Sequence, residues 1–181
     1  MALLGFLFAL LIANQASAQI LIEAPEGGMP YQEWIDAAQL PTPDRTIRLI
    51  EGSSADPDWP CQPVYEPEPA KACVDEATIY WDPAVPEPRW TLYHELGHVV
   101  DPAILTAADR EWFMDFLRLE GPWLSPLTHD TPGENFADVF AYCMRFGLRV
   151  RYTQMELEDG RYIYPRKHYR LCKWVREATR S

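Results

Sequence analysis

The sequence predicts an α+β fold, with short strands in its first half and amphipathic helices in its second. Apolar and polar residues alternate over 46–50 and, less regularly, over 77–81, as they do in strands. After residue 88, apolar residues recur at spacings of three and four, which is the helical period. The chain of 181 residues suits one domain, and its hydrophobic content of 48% is sufficient for a buried core.

Prolines interrupt the first half and keep its predicted elements short. A helix is expected over 31–39, and the preceding stretch, 19–28, is expected to be extended or loose. Strands are expected at 46–50 and 77–81. Five prolines predict a loop from 53 to 70, because proline removes a backbone donor and fixes φ.

Four helices are predicted in the second half, with bounds near 88–100, 107–119, 131–146 and 166–178. Pro88 fits the first turn of the first helix, and Pro102 is expected to end it. Thr106 is a candidate cap for the second helix, with Gly121 as its stop. Gly147 follows the predicted end of the third helix.

The first eighteen residues have the pattern of a secretory signal peptide. The apolar run over 2–13 is too short to span a bilayer, which needs roughly 20 residues. Ala16, Ser17 and Ala18 form a small-x-small cleavage pattern. We expect cleavage after Ala18, one domain over 19–181, and a secreted location, extracellular or periplasmic. The alternative interpretation is a buried N-terminal helix.

Four cysteines, an even number, indicate disulfides in an exported chain, and four cysteines allow three pairings. We favour Cys61–Cys73, which closes a proline-rich loop, and Cys143–Cys172, which ties two C-terminal helices together. The alternative is a cysteine-based metal site. It is disfavoured because no Cys-x-x-Cys spacing is present.

A net charge of −11 makes nucleic acid an improbable partner. Acidic residues are concentrated in the first half and basic residues after residue 145, which we interpret as a solvated surface. No segment after residue 18 is apolar enough to cross a bilayer, so no stable membrane insertion is expected. The protein is expected to be a monomer.

The motif that carries chemistry is His94-Glu95-Leu96-Gly97-His98. Four residues make about one helical turn, so the two imidazoles face the same way and can bind one Zn²⁺. Glu95 lies where a carboxylate can take a proton from a water molecule at such a site. Gly97 is unfavourable inside a helix by about 1 kcal/mol relative to Ala, which suggests a close packing contact there.

A catalytic zinc also needs a third protein ligand. The candidates are Asp101, His129, Glu134 and Asp138. Asp101 lies a further turn along the same helix, roughly 5 Å away, near a predicted C-terminus that disfavours negative charge. We expect it to pair with an arginine. Nothing in the sequence fixes His129 near the site.

Glu134 and Asp138 stand four residues apart on the next predicted helix, so both carboxylates share one face. We expect Glu134 to bind the metal and Asp138 to accept a hydrogen bond from a ligand histidine. The alternative for Glu134 is a capping box with Thr131. That alternative does not account for Asp138.

Together the two segments resemble the gluzincin branch of zinc peptidases. The first is His-Glu-Leu-Gly-His-Val-Val-Asp over 94–101, and the second is Glu-Asn-Phe-Ala-Asp-Val-Phe-Ala over 134–141. They are most similar to the catalytic domain of anthrax toxin lethal factor and small bacterial relatives. The resemblance covers about 50 residues of the chain. The longer histidine motif of metzincins is absent, because position 101 is Asp.

The resemblance implies a zincin-like fold: a small N-terminal sheet with an edge strand over an active-site helix, followed by a helical C-terminal half. It implies Zn²⁺ as cofactor, with His94, His98 and Glu134 as ligands. Glu95 would be the base, and Asp138 would orient His94. The similar enzymes favour Glu at position 138, so Asp138 is a departure from their pattern.

In such peptidases a Tyr or His donates to the developing oxyanion. The candidates here are His129, Tyr142 and His168. No spacing rule selects among them, and a structural role is the favoured interpretation of each. The strand before the active-site helix runs along the cleft in zincins and pairs with the substrate backbone. The resemblance would give that place to strand 77–81, with Tyr80 and Trp81 shaping the cleft. The alternative for both side chains is packing in the core.

These features predict a secreted, zinc-dependent endopeptidase that acts on a peptide or protein substrate. An alternative from another class is a catalytically silent zincin-like binding module, such as a toxin accessory or surface-interaction domain, that retains the metal site. A third is a small structural zinc domain. It would need four closed protein ligands and would leave Glu95 without a task.

Overall fold

The computed structural model describes residues 20–61, 69–125, 131–148, 155–156, 162–163 and 165–180. Within them the chain forms a four-stranded sheet, a two-stranded ribbon and five helices, which confirms the α+β prediction. The predicted signal peptide, 1–18, lies outside the described residues, as does His129. None of the helices in the described ranges is long and apolar enough to cross a membrane.

The four-stranded sheet has the strand order β1-β2-β4-β3. Its strands are β1 (Ile20–Glu23), β2 (Arg45–Glu51), β3 (Ala72–Asp75) and β4 (Thr78–Trp81). The pairs β1–β2 and β2–β4 are parallel, whereas β3 runs antiparallel to β4. β3 is therefore one edge of the sheet, with β4 on its inner side. The ribbon pairs β5 (Met155–Glu156) with β6 (Tyr162–Ile163).

The sequence predicted only the two central strands. The stretch expected to be extended or loose contains β1, because Ile20 and Ile22 are buried while Leu21 between them is 53% exposed. β3 follows the proline-rich loop and has no apolar alternation of its own. It forms a strand because it pairs with β4 over its whole length. Both strands depend on tertiary partners rather than on local propensity.

The five helices begin within about a residue of their predicted starts. Their bounds are α1 (Tyr31–Asp36), α2 (Pro88–Ile104), α3 (Ala107–Leu117), α4 (Pro132–Phe146) and α5 (Pro165–Ala178). Thr106 caps α3 as expected, with Asp109 returning the bond in a capping box. α3 ends before Arg118, which takes the left-handed conformation, and not at Gly121.

α2 runs past its predicted end and contains Pro102. Proline has no N–H, so the helix loses one bond there, but only two further residues follow. The Leu105 N–H closes the last turn with a bond of 2.9 Å to the Asp101 carbonyl. The expectation that α2 stops before Pro102 is therefore wrong.

α2 and α4 form the central helix pair, and ring and side-chain contacts fix their orientation. His98 meets Glu134, His94 meets Asp138, and Trp90 packs edge-on against Tyr142. Each step back of four residues on α2 matches a step forward of four on α4, so the helices are antiparallel. This register brings the two segments singled out in the sequence onto facing surfaces.

Two disulfides join elements that are distant in the chain. Cys61 is bonded to Cys73 and Cys143 to Cys172, which is the pairing favoured from the sequence. The first bond fixes the middle of the proline-rich loop, at Cys61, to Cys73 on β3. The second fixes α4 to α5 inside the core, where both sulfur-bearing residues are fully buried.

Candidate metal centre

His94 and His98 project from the same face of α2, one turn apart. Their Nε2 atoms lie 3.2 Å from each other, and their rings meet edge to face. Both imidazoles therefore aim one nitrogen at the same point. The helical spacing in the sequence predicts this arrangement, because residues four apart occupy neighbouring positions on a helix.

α4 brings a carboxylate to the same point. Oε2 of Glu134 lies 3.1 Å from Nε2 of His94 and 3.1 Å from Nε2 of His98. The ligand atoms of a tetrahedral zinc, at bond lengths of roughly 2.0–2.1 Å, are about 3.3 Å apart. Three atoms separated by 3.1–3.2 Å therefore fit around one such ion with little adjustment.

Glu134 has both of the roles considered for it, one through its backbone and one through its side chain. The backbone takes part in the helix cap, and the side chain is placed as a metal ligand. Its backbone N–H donates to Oγ1 of Thr131 at 3.3 Å, so Thr131 caps α4. Its carboxylate, however, is directed toward the two histidines and not back to the cap. The cap sets where α4 begins, and this start places Glu134 in the first turn, facing α2.

Asp138 approaches His94 from the other side of the ring. Its Oδ1 lies 2.9 Å from Nδ1 of His94, and its side chain is almost fully buried. A carboxylate at this atom favours the tautomer that carries its proton on Nδ1, which leaves Nε2 free to bind a metal. His94 is thus held between two carboxylates, one on each ring nitrogen.

The electrostatics of the cluster follow from this geometry. Burial opposes the charged form of His94, but the hydrogen bonds with Asp138 and Glu134 outweigh it and raise the pKa of His94 well above its usual range. Burial also opposes ionisation of Glu134, yet the hydrogen bonds and charges of the two histidines hold the pKa of Glu134 well below its usual range. Protonation of His94 and binding of a cation at this cluster would therefore compete.

Glu95 and the ligands line a cleft of about 450 Å³. Glu95 is only 7% exposed, so its carboxylate sits within the cleft wall instead of in bulk solvent. One wall is apolar and comes from the edge strand β3 and the segment just before it. Leu124 lines the cleft as well, in contact with the start of α4.

The cleft strand is β3 and not the strand proposed from the resemblance. β4 is an inner strand, hydrogen-bonded on both sides. Trp81 is completely buried in the core, and the ring of Tyr80 packs against Trp59. Neither side chain lines the cleft, so the expectation that they shape it is wrong.

Asp101 does not reach the metal site. Its Oδ1 accepts two bonds from Arg110, at 2.8 and 3.0 Å, and its Oδ2 accepts one from the indole N–H of Trp123 at 2.6 Å. The predicted arginine pair is therefore present. The carboxylate ties α3 and the segment after it to α2, and this segment carries Leu124 into the cleft.

The structure does not place Tyr142 or His168, two of the candidate oxyanion donors, in the cleft. Tyr142 and His168 are buried against each other, with ring centroids 4.4 Å apart, and neither lines the cleft. His129 lies outside the described residues. The structure therefore gives Tyr142 and His168 no contact with a substrate in the cleft.

Sequence reasoning also missed several cleft residues. Ala72 and Val74 on β3 and Leu124 after α3 line the cleft, but none of them belongs to a motif. Their positions follow from sheet pairing and from the Asp101 network. The one local signal was weak: Leu124 lies two residues after the Gly121-Pro122 pair, in a loop.

Comparison with known proteins gives no match: no protein-family profile, no curated protein and no solved structure corresponds to the chain. The site is therefore defined by its own geometry. Of the described residues, His94, His98 and Glu134 form one of two groups whose ligand atoms could hold a metal ion. It is the group that opens onto a cleft.

Proposed function

We propose that the protein is a zinc-dependent endopeptidase with a zincin-like fold. One observation carries the proposal: three ligand atoms lie 3.1–3.2 Å apart in a cleft that also contains a buried glutamate. A ligand triangle supports metal binding. A glutamate beside it supports chemistry, since a purely structural site has no use for a base.

The donor set favours zinc over harder cations. Two imidazoles and one carboxylate are typical of catalytic zinc, whereas Mg²⁺ and Ca²⁺ prefer oxygen ligands throughout. Three protein ligands would leave the fourth coordination position of a bound zinc ion to water or substrate. The antiparallel register of α2 and α4 supports the same conclusion, because it supplies all three ligands from two rigid helices.

The chemistry that zinc supplies when bound is Lewis acidity toward a carbonyl group and toward water. Glu95 accepts a proton from water and returns it to the departing amine, which is general base and then general acid catalysis. Asp138 keeps His94 in its binding tautomer. The buried position of Glu95 keeps its carboxylate close to the reacting groups.

The substrate binds as an extended segment along β3. β3 is one of the two edge strands of the four-stranded sheet, and it is the edge strand whose residues line the cleft. An edge strand can add a peptide through its free N–H and C=O groups. Such pairing would hold a protein or peptide chain across the ligand triangle and would tolerate many sequences.

The setting that we propose is extracellular or periplasmic. The two disulfides are compatible with an oxidising compartment, and the N-terminal segment has the pattern of an export signal. The protein acts there as a secreted enzyme.

The test measures metal content and proteolysis on the same full-length preparation. We expect one zinc per chain, cleavage of denatured casein, loss of cleavage on chelation and recovery when zinc is restored. His98→Ala should lose both zinc and activity, while Lys173→Ala, on an exposed face of α5, should retain both. Zinc binding without cleavage would establish the silent binding module instead, and absence of zinc binding would refute the proposal altogether.

A further inference from the structure

A second group of potential ligands lies in the core, away from the cleft. Cys143 on α4 faces Cys172 on α5, and His168 stands one turn before Cys172 on the same helix. Nε2 of His168 lies 2.9 Å from Sγ of Cys172. The three ligand atoms are all within 4.8 Å of one another, and each residue is at most 2% exposed.

We propose that Cys143, His168 and Cys172 supply three ligands of a second metal site, for zinc or a similar ion, whenever the two cysteines are thiols, with water in the fourth position. The disulfide and the metal are alternatives, because both use the same two sulfur atoms. This proposal does not depend on the peptidase function, since none of the three residues lines the cleft.

The chemistry of the three groups suits a thiophilic divalent cation. Two thiolates and one neutral imidazole are a soft donor set that selects zinc over Mg²⁺ or Ca²⁺. Two thiolates also cancel the charge of Zn²⁺, so the complex can be buried without an isolated charge. Burial lowers the pKa of His168 to about 4, which keeps the imidazole neutral at pH 7 and available as a ligand.

The geometry requires a small adjustment of the helices. Zinc–sulfur bonds of about 2.3 Å place two thiolates about 3.8 Å apart, farther than in a disulfide. The α-carbons of Cys143 and Cys172 are now 5.2 Å apart, so α4 and α5 must separate by on the order of 1–2 Å. Cys143 and Cys172 lack Cys-x-x-Cys spacing, but His168 lies four residues before Cys172 on α5, so both side chains share one helix face.

The consequence concerns α4, which also carries Glu134 and Asp138. In the oxidised chain the disulfide fixes α4 to α5. In the thiol form the metal would provide the same cross-link, so the two helices stay joined in either redox state. A newly synthesised chain, in which the cysteines are still thiols, would hold its metal here until the disulfide forms.

The test compares the oxidised and reduced full-length chain with Co²⁺ as a spectroscopic probe for zinc. A phosphine reduces the disulfide: phosphorus becomes the phosphine oxide, and water supplies the oxygen and both thiol protons. Binding of Co²⁺ then releases those two protons to solvent. We expect a thiolate-to-Co²⁺ charge-transfer band in the near ultraviolet for the reduced chain only, with a native circular dichroism spectrum.

Variants test whether the charge-transfer band arises from Cys143, His168 and Cys172. His168→Gln should weaken Co²⁺ binding at the thiolates by about tenfold or more, and Cys143→Ser with Cys172→Ser should remove the band. His98→Ala, which disables only the cleft site, should retain it.

The proposal is overturned if the reduced chain shows no band. It is also overturned if the band persists without Cys143 and Cys172, because the thiols of the other disulfide would then be the ligands. If reduction unfolds the metal-free chain, added Co²⁺ must restore both the native spectrum and the band, and failure to restore them counts against the site. Because the readout is a thiolate band, absence of peptidase activity would leave this result unaffected.

Discussion

A β-carbon at position 97 would lie 2.7 Å from the Cα of Ala137, so α2 and α4 touch backbone to backbone at Gly97. This contact explains the glycine between Leu96 and His98 in the motif. It also sets the distance across which Glu134 reaches the histidines, because the close approach lies within one turn of all three ligands.

Gly97→Ala is expected to weaken both folding and metal binding. Alanine is the better helix former by about 1 kcal/mol, but overpacking against a rigid backbone costs about 1–3 kcal/mol. The helices must move apart, which displaces Glu134 from the histidines. Chemical denaturation and a zinc-affinity titration measure the two effects. Glu111→Ala, on the exposed face of α3, serves as the control and should change neither by a measurable amount. Unchanged zinc affinity in Gly97→Ala would contradict the packing argument.

Asp138→Asn is expected to lower zinc affinity by about 10–100-fold while leaving the fold intact. The amide keeps the size of the carboxylate but removes the charge that favours a proton on Nδ1 of His94. A competition titration with a chromogenic chelator gives the affinity. Asp115→Asn removes an exposed carboxylate from α3 and is the matched control. Equal affinities for the two variants would show that the contact at 2.9 Å has no effect on the ligand.

Asp101→Ala is expected to destabilise the protein by about 2–4 kcal/mol. The change leaves Arg110 and the indole N–H of Trp123 without their buried acceptor. It also frees the segment that carries Leu124, so cleavage should weaken through KM more than through kcat. Urea unfolding gives the free energy of unfolding, and the kinetics of casein cleavage give the separate changes in KM and kcat. A loss of stability below about 0.5 kcal/mol, the range of ordinary surface changes, would refute the network.

His168 is expected to make folding stability depend on pH. Its folded-state pKa, lowered by burial to about 4, lies below the unfolded value of 6.5. The unfolded chain therefore takes up the proton first as the pH falls. The stabilisation is complete above about pH 6.5 and is lost progressively toward pH 4, by about 3 kcal/mol in total.

The measurement is the free energy of unfolding between pH 4 and pH 7.5 for the wild type and for His168→Phe. The wild type should lose more stability on acidification than the variant does, because phenylalanine has no proton to gain. Parallel pH profiles for the two proteins would mean that His168 does not contribute. The comparison cancels the titration of the cleft histidines, which is common to both.

The helices and their caps could be predicted because their signals are local. Thr106 and Thr131 mark the starts of α3 and α4, and the spacing of His94 and His98 needs only a helix. Strands β1 and β3 could not be predicted, since each forms by pairing with its neighbour in the sheet. The prediction that strand 77–81 lines the cleft was wrong for this reason, because β3 was not predicted as a strand.

The third metal ligand could be predicted only in part from the sequence. The sequence limited the third ligand to four residues and favoured Glu134, with a capping box as the alternative explanation for that residue. Glu134 meets His94 and His98 because α2 and α4 pack antiparallel in this register. No local sequence pattern predicts that register. Likewise, the burial of Tyr142 and His168 beside each other depends on how α5 packs, and the sequence offered them as oxyanion donors instead.

The central claim is that the ligand triangle and Glu95 together hydrolyse peptide bonds, and Glu95→Gln tests it most directly. Glutamine preserves the size of the side chain and removes its ability to accept a proton from water. We expect zinc content equal to that of the wild type and a casein-cleavage rate reduced by about 10²–10⁴-fold. Glu111→Gln should match the wild type in both measurements. A Glu95→Gln protein that binds zinc and still cleaves casein at the wild-type rate would contradict the account.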